Sequence, residues 1–142
     1  MGMYTEIFVN VDMKKGVPED VLGTLRVMTG EGAFDEENWE YPSLWTMLFS
    51  DCSYYTPRTS CAELKWDEIA GCHSLIGKGD IKNYGGEIQA FFEWIAPHVA
   101  AYKDERTFIG YMRYEEAEVP TLVFLDGRNT LVYETVTYGS DQ

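Results

Sequence analysis

The chain has 142 residues, of which 45% are apolar and 15% aromatic, and its 24 acidic side chains against 11 Lys and Arg leave a formal net charge of −13. That length and composition suit one folded domain, residues 1–142, and exclude disordered and collagen-like classes. The charge argues against direct binding of nucleic acid or anionic membrane, because both require Lys and Arg to displace counterions.

Met3 to Met13 alternates Ile7, Val9, Val11 and Met13 with Phe8, Asn10 and Asp12, which predicts a strand with one apolar face. Lys14-Lys15-Gly16 is a turn. Pro18-Glu19-Asp20 opens a helix, since proline suits the first turn and acids complement the positive end of the dipole. Its stripe is Val21, Leu22, Leu25 and Met28, and Thr29-Gly30 ends it. Residues 30–42 then read as a long acidic loop, and Ser43 as the cap of a short helix over Leu44–Phe49, with a buried strand as the competing reading. Residues 50–60 form a second loop.

Ala62, Leu64 and Trp66 alternate with Glu63, Lys65 and Asp67, a strand with one wet face. Ala70-Gly71 predicts a tight turn into a strand over Cys72–Gly77, with Gly79–Asn83 as a connection. From Gly86, the series Ile88, Phe91, Phe92, Ile95, Val99 and Tyr102 traces one helical face, inside which Pro97 should kink the helix or end it early. Three strands follow, Thr107–Tyr114, Pro120–Leu125 and Thr130–Thr137, the last two joined at Asp126-Gly127. The order predicts an α+β fold with a mainly antiparallel sheet and two main helices. Its first six main elements match the β-α-β-β-α-β order of ferredoxin-like folds, with an added C-terminal hairpin.

No membrane span and no signal peptide are visible, and the odd number of cysteines fits a reduced cytoplasm. Cys52, Cys61, Cys72 and His73 lack the close pairs of zinc sites, so they read as reduced core or loop residues, with no metal and no cofactor expected. No nucleophile elbow, Walker loop or dinucleotide motif is present, which points away from an enzyme.

Two groups point to binding. Glu31, Asp35, Glu36, Glu37 and Glu40 surround Trp39; acids steer association, and an aromatic supplies binding energy. Held on one face, such acids also imitate the charge of a DNA duplex, and Glu115, Glu116 and Glu118 are candidates to extend it. Tyr54, Tyr55 and Arg58 share one loop, and Tyr111 and Arg113 share one face of a strand. Arginine forks grip phosphates and aromatic rings stack bases, so these five are the candidates for a nucleotide-like ligand.

The segments Tyr4–Asp12, Ala62–Ile69 and Tyr111–Glu116 resemble small uncharacterised acidic proteins of phages and bacterial mobile elements. That resemblance implies an inhibitor of host defence: a DNA mimic, an enzyme blocker or a sponge for nucleotide signals. The leading expectation is a stoichiometric interaction module that binds a basic, nucleic-acid-binding surface of a host protein. A small-molecule binder sequestering a nucleotide-like signal is the second expectation, and a hydrolase with an unidentified carboxylate site the third.

Overall fold

A computed structural model describes residues 4–50, 61–101 and 105–135. Six strands form one antiparallel sheet: β1 (Thr5–Asp12), β2 (Cys61–Asp67), β3 (Cys72–Ile81), β4 (Thr107–Tyr114), β5 (Thr121–Leu125) and β6 (Leu131–Thr135). Their order across the sheet is β2-β3-β1-β4-β5-β6, every neighbouring pair being antiparallel. Two helices, α1 (Glu19–Met28) and α2 (Glu87–Ile95), complete the α+β fold. The first six main elements run β-α-β-β-α-β with β1 held between β3 and β4, the arrangement of a split β-α-β fold, and β5–β6 widen the sheet beyond β4. No described helix is long and apolar enough to cross a membrane.

The alternation read in β1 decides where the core lies. Ile7, Val9, Val11 and Met13 are buried against the helices, which contribute Val21, Leu22, Leu25 and Met28 from α1 and Ile88, Phe91, Phe92 and Ile95 from α2. The opposite face of β1 carries Glu6, Phe8, Asn10 and Asp12.

Two boundaries differ from the sequence reading, each for a local reason, and α2 ends early as Pro97 predicted. β3 runs on through Gly79 to Ile81. Its glycines at 77 and 79 are admission points rather than a loop. A β-carbon on Gly77 would meet the Phe49 ring at 2.6 Å, and one on Gly79 would collide with the main chain of Leu48 to Ser50. α2 stops at Ile95, and a 3-10 turn over Ala96–His98 contains Pro97. Val99 then leaves the helix and bridges to Met13. The segment after Pro42 is a 3-10 turn over Ser43–Met47 with Pro42, not Ser43, at its cap. The link between β2 and β3 is also wider than a two-residue turn: Asp67 accepts the N–H groups of Ile69 and Ala70 through Oδ1, and Gly71 closes it.

Candidate interaction site

The acidic loop leaves α1 at Gly30 and is ordered by one of its own acids. Asp35 caps a 3-10 turn over Glu36–Asn38: Glu37 N–H donates to Asp35 Oδ1 at 3.2 Å, and Asn38 Nδ2 donates to Oδ2. Glu31, Glu36, Glu37 and Glu40 are exposed around it. No Lys or Arg occurs between Arg26 and Arg58, so nothing in that stretch of sequence neutralises the group.

The loop stands on a chain of aromatic rings that leads into the core. Phe34 meets Trp39 edge-on at 5.6 Å between ring centroids, and Trp39 meets Tyr41 at 5.3 Å. Tyr41 stacks on Trp45 at 5.2 Å, and Trp45 meets Phe91 of α2 at 5.6 Å. Such contacts add roughly 0.5–1.5 kcal/mol per pair beyond area burial. Trp45, fully buried, donates its indole N–H to Glu87 O at 3.0 Å; Trp39 donates to Pro42 O at 3.2 Å.

This geometry revises the part assigned to Trp39. Its ring is partly buried and packs against the core, so it is the base of the loop. Phe34 is the ring presented to solvent, 50% exposed. Phe34 stands directly before the acidic run, where the larger indole of Trp39 is the more obvious anchor in the sequence. Glu115 belongs to a different feature: its carboxylate accepts the N–H of Tyr4 at 2.6 Å, tying the β4–β5 turn to β1.

Tyr111 and Arg113 do share a face, the one turned away from the helices. Cross-strand register places Tyr111 beside Phe8 and Arg113 beside Glu6, with Lys78 and Asp80 on the β3 side of the same two residues. The Tyr111 and Phe8 rings stack at 5.4 Å. Glu6 is buried among polar partners: Lys78 Nζ lies at 3.5 Å, Arg113 Nε at 3.7 Å, and the Tyr111 hydroxyl donates to it at 3.2 Å. Arg113 also donates to Ala117 O at 3.0 Å. Burial, and then the Glu6 charge and hydrogen bond, push the Tyr111 phenol up to about 12. Tyr54, Tyr55 and Arg58 lie outside the described residues. Cys61 is an exposed free thiol on β2 rather than a core residue, and Cys72 a partly exposed one.

No family model, no curated protein and no solved structure matches the chain.

Proposed function

We propose that the protein acts by stoichiometric binding, docking its acidic loop on a basic, nucleic-acid-binding surface of a host protein in the manner of a phage-type inhibitor of host defence. The observation that supports this reading is the capped acidic turn with Phe34 presented at the outer end of an aromatic chain rooted in the core. Acids fixed in place steer a basic partner toward the loop. An exposed ring beside them supplies apolar contact, and a preordered loop loses little freedom on docking.

The test is capture from bacterial lysate by the tagged protein at about 50 mM and about 500 mM salt, which bracket weak and strong screening. A basic protein should be held at the low salt and released at the high. Glu36→Lys with Glu37→Lys, and separately Phe34→Ala, should each abolish capture, while Asp35 stays intact because it caps the turn. Capture that survives both variants, or no capture at all, overturns the reading.

A second reading has its own support. The Phe8–Tyr111 stack, flanked by Lys78 and Arg113, is an aromatic pair beside two cations. It suits a nucleotide-like ligand whose phosphate competes with Glu6 for the guanidinium. A nucleotide panel at about 100 times its Kd should then stabilise the fold by about 2.7 kcal/mol in thermal unfolding. Arg113→Ala should remove that shift, and a panel without any shift discards this reading.

A further inference from the structure

The outer edge of β2 has no strand neighbour among the described residues. Strand β2 ends the sheet, and its seven residues pair with β3 without a bulge or a proline. The direction of its main-chain groups follows from the hairpin. Asp67 O accepts Gly71 N–H at 2.8 Å inside the turn, so the main chain of Asp67 faces β3. Strand alternation then turns Cys61, Glu63 and Lys65 toward β3 and leaves Ala62, Leu64 and Trp66 facing outward. The other flank of β3 agrees: Met13 N–H donates to His73 O, so His73 faces β1 and Ser74, opposite Lys65, faces β2. Among the described residues, no hydrogen bond reaches the outward groups of Ala62, Leu64 or Trp66.

We infer that two copies of this chain join through this edge, antiparallel, with Leu64 opposite Leu64 of the second copy. The register uses every outward group. Leu64 exchanges two main-chain hydrogen bonds with its counterpart, and Ala62 and Trp66 exchange two at each end, about six in all by the antiparallel ladder rule. It also sets Glu63 opposite Lys65 of the second copy, twice, in the closer, non-hydrogen-bonded pairs. All four of those side chains are exposed in the single chain. The two-residue slips that keep the outward groups facing each other fail on charge. One sets Glu63 against Glu63. The other sets Lys65 against Lys65 and Glu63 against Asp67.

Side-chain size agrees with the same register. Trp66 is 51% exposed, and the pairing lays it beside small Ala62 of the second copy. Among the described residues, the opposite edge of the sheet offers nothing comparable. Strand β6 carries a single charged residue, Glu134, so no self-pairing of it brings opposite charges together. The contact is isologous and closes after two copies.

Sedimentation equilibrium from micromolar to about 1 mM protein at ~0.15 M salt tests this, where the Debye length is about 8 Å and long-range repulsion is screened. The wild type should show a reversible monomer–dimer equilibrium. Glu63→Lys and Lys65→Glu should each weaken it by about tenfold or more, because each turns two attractive pairs into two repulsive ones. The double variant carrying both changes should return to within about threefold of wild type. Glu63→Lys is the discriminating arm: it removes two units of negative charge from the −13. General repulsion alone would therefore tighten the dimer, whereas the register weakens it. A wild type monomeric throughout, a dimer indifferent to both single variants, or a tighter Glu63→Lys dimer overturns the inference. Uptake of an unrelated extended peptide by a monomeric wild type would give the edge to a foreign strand and overturn it equally.

Discussion

Tyr111 links packing to titration. In the folded chain its phenol is pushed up to about 12 by burial and by Glu6, while in the unfolded chain it titrates near the ordinary 10.0. A group whose folded pKa is raised contributes stability fully below the unfolded value and loses it as pH climbs through the folded one. The window is therefore pH 10 to 12. Denaturant unfolding across that window should show Tyr111→Phe declining less steeply than wild type, and equal slopes would remove Tyr111 as the cause. At neutral pH the same substitution should cost only the hydrogen bond to the Glu6 carboxylate, about 1.5–3 kcal/mol for a bond to a charged group. None of this was legible in the sequence beyond Tyr111 and Arg113 sharing a face. Phe8 and Glu6 lie about a hundred positions away, and only strand register brings them there. The exchange of parts between Trp39 and Phe34 has a similar origin: composition located the acidic aromatic loop, but which ring faces water depends on the rings of Tyr41 and Trp45 beneath it.

Elements with an unbroken two- or 3.6-residue period were readable from the residues alone. β1 occupies Thr5–Asp12, inside the Met3–Met13 run whose alternation predicted it, and α1 follows Pro18 and ends at Met28 as its stripe predicted. β3 was cut short because Gly77 and Gly79 carry the chemistry of a loop while serving a packing need. The two glycines open a slot in the sheet into which Phe49 and the main chain of Leu48–Ser50 settle. Gly77→Ala should therefore destabilise the protein by roughly 1–3 kcal/mol, the usual cost of overpacking a filled core. Thermal unfolding checks this, and an unchanged midpoint would mean that the Phe49 ring yields at no cost. The same Ala change combined with Phe49→Leu should recover part of the loss. α2 ended early for the reason its sequence contained, Pro97, although the apolar stripe continued past it. The edge of β2 was legible only by half: the period of two exposed the charge order Glu63, Lys65, Asp67, but which main-chain groups face outward became visible only through the hairpin hydrogen bond.

On the scale of the whole molecule, the two faces of the sheet divide the labour. One face and two helices hold the apolar core; the other holds Glu6, Lys78, Arg113 and the Phe8–Tyr111 pair. The acidic loop adds a third region, a stretch without a cation from Arg26 to Arg58. Capture at two salt concentrations reads that overall field, and sedimentation reads the contact at one edge, so the two proposals fail separately. The position of β1 also governs how the molecule comes into being. Thr5 pairs with Ile81 on one side and Tyr114 on the other, so the central strand is translated long before either neighbour. On the ribosome, a nascent chain carries Ile7, Val9 and Val11 without a sheet to enter until β3 emerges, and closes the sheet around them only with β4. Such distant pairing makes folding slow relative to helical proteins of this size and leaves an apolar strand open to chaperones and to aggregation throughout synthesis.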